Sequence, residues 1–162
     1  NITELEAAAL LDRFKKMFPA LEQHQKTHIY NGQLLGYAST ATGLRRYRGK
    51  EGPLTNSEKN WMINHPVQGT AAALFKQAGN QLDKLLLPYQ ARLILPLHDS
   101  YVFEAPIEHM EEVARLIGDV MCQVIQHHYP QLKPRVDINI AHPERWNKDG
   151  DSTALDRWIE QI

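Results

Sequence analysis

At 162 residues, with 43% hydrophobic and 23% charged content, the chain has the make-up of an ordinary globular domain and the length for one core, not two, so one domain is expected over 1–162. A net charge of −1 gives no global attraction to nucleic acid and argues against a stand-alone nonspecific binder. The single cysteine, Cys122, excludes an intramolecular disulfide and suits a reducing compartment, the cytoplasm.

In chain order, Thr3-x-x-Glu6 forms a capping box, and Leu10, Phe14, Met17 and Leu21 recur at helical spacing. Pro19 interrupts this pattern and is expected to bend the helix or begin a second one. A polar run leads to Asn31-Gly32, which can close a hairpin or end a helix with a left-handed cap; the sequence leaves both open. Tyr37 to Tyr47, rich in Thr and Tyr, reads as a short hairpin turning at Thr42-Gly43, and Gly49 to Pro53 as a loop. Thr55-x-x-Glu58 is a second capping box, opening a helix expected to reach about Leu87, with a kink at Pro66. Beyond the kink Ala71, Leu74/Phe75, Ala78, Leu82 and Leu85/Leu86 make the expected buried stripe.

Two short strands follow, Arg92–Leu97 and Tyr101–Glu104, with His98-Asp99 between them. A further helix carries Ile107, Met110, Val113, Ile117, Val120 and Val124 on one face, and Cys122 within it reads as an inert core thiol. Val136, Ile138 and Ile140 alternate with Asp137 and Asn139, which predicts a last strand. No apolar run approaches the ~18 residues that span a bilayer, so no membrane partner is expected. No signal peptide opens the chain, and since its first residue is Asn the true start of the gene product is expected upstream. Helices separated by hairpins, without βαβ alternation, give an α+β class with a mainly antiparallel sheet.

Four segments carry chemistry. Asp99 lies where two strands meet at a tight turn, a stiff place from which to present a hard oxygen ligand to Mg²⁺. Taken alone, a His-Asp pair there also fits simple turn chemistry. Asn64 and Gln68 stand at i, i+4 in Asn64-His65-Pro66-Val67-Gln68-Gly69-Thr70-Ala71-Ala72, so both amides can share a helix face; capping beside Pro66 and Gly69 is the plainer use. Arg45, Arg46, Arg48 and Lys50 are clustered with no acidic residue among them, either as a solvated loop or as a phosphate-contacting patch. Fourth is Val136–Ile140, followed by Glu144-Arg145-Trp146.

These segments, in this order, resemble the C-terminal palm region of family A DNA polymerases, the DNA polymerase I type. The Asn-x-Pro-x-Gln-Gly-Thr-Ala-Ala run, the His-Asp turn, the Gly36-Tyr37…Gly43-Leu44-Arg45-Arg46 hairpin and the terminal strand with Trp146 each match a family motif across roughly residues 1 to 148. The tail at 149–162 has no recognised counterpart and no assigned role. The resemblance implies a partial polymerase palm: a three-stranded, mainly antiparallel palm-type sheet packed on helices, with a small extra hairpin.

It also implies template-directed, Mg²⁺-dependent nucleotidyl transfer to a primer 3′-hydroxyl. Asp99 would be a metal ligand, and His98 would lie near the primer terminus. Asn64 and Gln68 would contact the duplex minor groove, where amides can meet the acceptors common to every base pair. The resemblance favours phosphate contact for Arg45, Arg46, Arg48 and Lys50. Primer-template DNA is the implied partner, with the remainder of the polymerase chain or a partner subunit. Deoxynucleoside triphosphates would be bound through motifs missing here, since the nucleotide-binding helix and the strand with the first catalytic Asp are not in these residues.

Two departures stand out: Ser100 where the family has Glu, and Asn60 where it has Arg. They leave room for an alternative, a degenerate palm acting as a non-catalytic DNA-binding or subunit-interaction module. A metal-dependent phosphohydrolase built on His98 and Asp99 is weaker, because no second His or Asp stands at ligand spacing around them. Asp83, Asp119, His127 and His128 fall in helical patterns and read as solvent-facing.

Overall fold

The computed structural model describes residues 2–141 and 152–160. The chain divides into two compact units, 1–71 and 72–162.

In the first unit, α1 (Glu4–Met17) opens with the expected capping box: the Thr3 hydroxyl accepts the Glu6 N–H while the Glu6 carboxylate accepts the Thr3 N–H. Pro19 begins a new helix, α2 (Pro19–Leu35), at the first-turn position where its missing N–H costs nothing. Asn31-Gly32 neither turns nor caps. It lies inside α2, which runs on to a left-handed cap at Gly36 (φ 76°). The reason is packing: Gly32 is buried, and a Cβ on it would come within 2.5 Å of Met62 Sδ. The hairpin is as expected, with β1 (Tyr37–Ser39) antiparallel to β2 (Arg45–Tyr47) in the register Tyr37↔Tyr47 and Ser39↔Arg45.

The second capping box, Thr55 with Glu58, opens α3 (Asn56–Asn64). Pro66 acts where the kink was expected. The chain passes through a π-helical turn, His65–Gly69, before α4 (Thr70–Leu85), so the i→i−4 ladder is interrupted and then resumed.

Along α4 and just past its end Leu74, Ala78, Leu82 and Leu86 form a buried i, i+4 row, whereas Ala71 is exposed and Leu85 is 44% exposed. The stripe is thus narrower than expected. The helix α5 (Met110–His128) buries Val113, Ala114, Ile117, Val120 and Val124, while Ile107 is exposed in a 3₁₀ turn before it. Leu82, Leu86, Ala91, Val113, Ile117 and Val120 make one core cluster. Cys122 is half-buried, donates its S–H to the Pro134 carbonyl and has its thiol pKa pushed up by burial and by Asp119, as suits an unreactive thiol.

The expected three-stranded sheet does not form among the described residues. There are three two-stranded antiparallel ladders: β1–β2, β3 (Arg92–Leu97) with β4 (Ser100–Glu104), and β5 (Asn139–Ala141) with β6 (Ser152–Ala154). The last strand is shorter than the alternation at 136–140 predicted. Ile138 instead lies close over Gly118 of α5, and ladder pairing begins only at Asn139. A short helix, α6 (Leu155–Ile159), follows β6. Glu144, Arg145 and Trp146 lie outside the described residues, as does part of the 149–162 tail.

Candidate nucleic-acid interface and carboxylate turn

The hairpin of the first unit is held against the π-helical turn by backbone and hydroxyl groups. The buried Thr40 hydroxyl accepts the Leu44 N–H at 2.9 Å, and the buried Thr70 hydroxyl accepts the Ala41 N–H at 2.9 Å while donating to the Pro66 carbonyl. Gly69 permits the approach, since a Cβ there would meet Thr40 Cγ2 at 2.7 Å. The interrupted helix and the Thr-rich hairpin are therefore one construction, and it fixes where β2 presents its arginines.

What results is an open groove of about 490 Å³ lined by Arg46, Ser57, Asn60, Trp61, Asn64, His65, Gln68 and Gly69. Asn64 and Gln68 are both exposed and share this groove, as their spacing implied. Arg46 comes to it from the hairpin, its guanidinium 4.8 Å from the Trp61 ring centroid, a cation–π contact that holds a flexible side chain at the groove wall. Asn60 lines the same groove. Ser57, Trp61 and His65 were not singled out from sequence. Their signal was available: 57, 60/61, 64/65 and 68 continue the same i, i+3/i+4 row.

The four clustered cations part company. Arg45 and Arg46 are exposed, with Arg45 4.7 Å over the Tyr37 ring, and Lys50 is exposed. Arg48 turns inward: its Nε donates to Glu58 at 2.9 Å, another guanidinium nitrogen donates to the Gly52 carbonyl, and its side chain is only 10% exposed. Glu58, bonded to Arg48 and to the Thr55 N–H, has its carboxyl held down at about 2. In this arrangement Arg48 ties the loop to α3.

The second unit carries the carboxylate turn. Leu97 pairs with Ser100, so His98-Asp99 is a two-residue hairpin loop, and both side chains are exposed. His98 has φ 56°, a backbone region that favours glycine, at the first loop position. The Ser100 hydroxyl donates to the Leu97 carbonyl at 2.8 Å and so closes the turn on itself. Among the described residues no group of three or more His, Cys, Asp or Glu side chains is placed to hold a metal ion. By donor chemistry Asp99 is one hard oxygen ligand of the kind Mg²⁺ takes, and the remaining ligands of such a site would have to come from beyond these residues. Asp83, Asp119 and His127 are exposed on their helices, as expected, whereas half-buried His128 meets the Gln77 side chain at 3.4 Å.

The family model of DNA polymerase family A matches residues 1–148. The chain is 34% identical over 145 residues to the thermostable DNA polymerase I of Thermus aquaticus, covering 87% of this chain and 17% of that protein. To DNA polymerase I of Deinococcus radiodurans it is 33% identical over 150 residues, covering 90% and 15%. To that of Bacillus caldotenax it is 32% identical over 131 residues, covering 77% and 15%. The chain thus spans 15–17% of the length of these relatives. In fold it is similar to the POL domain of Pol1 from M. smegmatis, solved in complex with DNA primer-template and dNTP. That likeness has a TM-score of 0.70 at 23% identity and covers 76% of this chain and 23% of the other. The match at 1–148 runs through the hairpin, the groove helix and the His98-Asp99 turn alike, and the chain belongs to the family A DNA polymerases.

Proposed function

We propose that this chain is the C-terminal palm segment of a template-directed DNA polymerase, extending a primer 3′-hydroxyl only together with the remainder of the polymerase chain or a partner subunit. The observation that carries the reading is the groove, which gathers Arg46, Asn60, Asn64 and Gln68 on one surface in a family A chain. Amides that both donate and accept suit the edges of a duplex minor groove, where an acceptor occurs in every base pair. Arg45, Arg46 and Lys50 provide phosphate contacts beside it, and Arg48 supports the loop from which Lys50 projects.

Asp99 contributes one carboxylate to a divalent-metal site completed by a second carboxylate from outside this sequence, and His98 stands beside it toward the primer backbone. Bound Mg²⁺ would supply neutralisation of charge on the triphosphate and the attacking hydroxyl. Among the described residues both edges of the β3–β4 ladder are open, and further strands would complete a palm sheet there. Incoming deoxynucleoside triphosphates would be held by the rest of the polymerase.

The test is binding of duplex DNA by the chain. Affinity is expected to be weak and sequence-independent, falling with log salt at a slope of ~−0.9 per phosphate neutralised. Joint replacement of Arg45, Arg46 and Lys50 by Ala is expected to weaken binding and flatten that slope; an unchanged slope would return these cations to a solvated loop. One observation favours the second reading, a non-catalytic DNA-binding or subunit-interaction module. The residue after Asp99 is a serine, not a carboxylate, and its hydroxyl is bonded to the Leu97 carbonyl.

A further inference from the structure

Glycine in the middle of a helix is unfavourable relative to alanine, so Gly79 within α4 calls for a packing reason. That reason is Tyr101. A Cβ on Gly79 would meet the Tyr101 hydroxyl oxygen at 2.5 Å and its ring carbon Cζ at 2.9 Å. Through the gap left by the glycine, Tyr101 reaches the helix backbone itself, where its O–H donates to the Phe75 carbonyl at 2.8 Å. Its ring lies flat on Phe75, centroids 3.8 Å apart and planes 6° from parallel.

Tyr101 is also the second residue of β4, directly after Ser100 and two after Asp99. On the other strand its ladder partner is Pro96, which adjoins Leu97. The two-residue turn between them has a positive-φ histidine at its first position and a serine bond across it. Among the described residues this short ladder has no strand on either edge, and such a ladder does not by itself fix where its loop points. A tyrosine stacked and hydrogen-bonded to a long helix does.

We infer that Tyr101, with Phe75 and Gly79, is the positioning element for the Asp99 carboxylate: it pins the root of the turn to α4. This rests on the proposed role of Asp99. Carboxylate placement matters because a displacement of about 1 Å at a reacting centre can cost on the order of 10²-fold in rate.

The experiment pairs Tyr101→Phe, which keeps the ring stack and removes the hydroxyl bond, with Gly79→Ala, which drives the tyrosine off the helix. In the chain itself, amide hydrogen exchange at Leu97 and Ser100, the ladder pair that closes the turn, is expected to speed up in both variants, with exchange in the core of α5 unchanged. In the polymerase that contains the chain, Tyr101→Phe is expected to lower kcat on the order of tenfold and to raise the Mg²⁺ concentration for half-maximal rate, at unchanged KM for nucleotide. Parent-like exchange at Leu97 and Ser100 in Tyr101→Phe would overturn the inference, as would a parent-like Mg²⁺ response. Should Gly79→Ala not fold, the exchange measurement on Tyr101→Phe still decides. An Asp99→Asn control separates the two levels. If it stays active, the role of Asp99 fails; if it is inactive while Tyr101→Phe matches the parent in exchange and Mg²⁺ response, only the positioning role fails.

Discussion

The Ser100 hydroxyl donates to the carbonyl of Leu97 at 2.8 Å, across the turn that presents Asp99. The serine thus bonds back to the backbone of its own turn. Ser100→Ala is expected to lower stability by about 0.5–1 kcal/mol, the worth of one solvent-exposed hydrogen bond, read as a small drop in the urea midpoint with an unchanged slope. A midpoint equal to the parent's would mean that the turn holds without this bond.

For the chemistry, Asp99→Asn preserves size and hydrogen bonding and removes charge. In the assembled polymerase, nucleotide incorporation is expected to fall by at least ~10²-fold, as for loss of one transition-state electrostatic contact. DNA affinity is expected to change little, because the groove and the hairpin cations lie on other elements. Near-parental incorporation in Mg²⁺ would favour the non-catalytic module.

The 162-residue chain alone is expected not to extend a primer, since its described residues offer one exposed carboxylate at the turn and no metal cluster. Template-directed incorporation by the pure chain, scored on a labelled primer, would contradict this.

Glu58 gives a pH dependence with a definite sign. Its folded-state pKa is depressed to about 2 from the usual 4.5, first by the Arg48 bond and then by the Thr55 N–H. The stabilisation is therefore fully present above about pH 4.5 and is lost as the pH falls toward about 2. In Glu58→Gln the thermal midpoint is expected to depend less steeply on pH across that interval than in the parent. Arg48→Ala is expected to lower thermal stability at neutral pH, while the Arg45, Arg46 and Lys50 variant changes DNA binding without a comparable loss.

Packing between α2 and α3 is tested at Gly32. Its missing side chain is filled by Met62, which is fully buried. Gly32→Ala forces that side chain to move and is expected to destabilise by about 1–3 kcal/mol, the usual range for overpacking, measured by urea unfolding. A neutral effect would show that Met62 has room to repack.

Local chemistry made much of this protein readable from sequence. The two capping boxes, Pro19 at a helix start, the Thr- and Tyr-rich hairpin and the tight turn at His98-Asp99 all depend on neighbours within a few residues, though β4 begins one residue earlier than the sequence pattern placed it. So does the shared face of Asn64 and Gln68, because i, i+4 spacing survives a single wide turn. Tertiary structure decided the rest. Asn31-Gly32 carries a strong turn signal, yet burial of Met62 against Gly32 keeps the helix running through it. Val136 to Ile138 alternate like a strand, yet ladder bonds need a partner, and β6 pairs only from Asn139 onward. Arg48 looks like its neighbours in sequence; Glu58 and the Gly52 carbonyl turn it inward while Arg46 turns toward Trp61. Composition and spacing report what a side chain can bond to. Which partner it meets depends on contacts between residues far apart in the chain, and those exist only once the helices have packed.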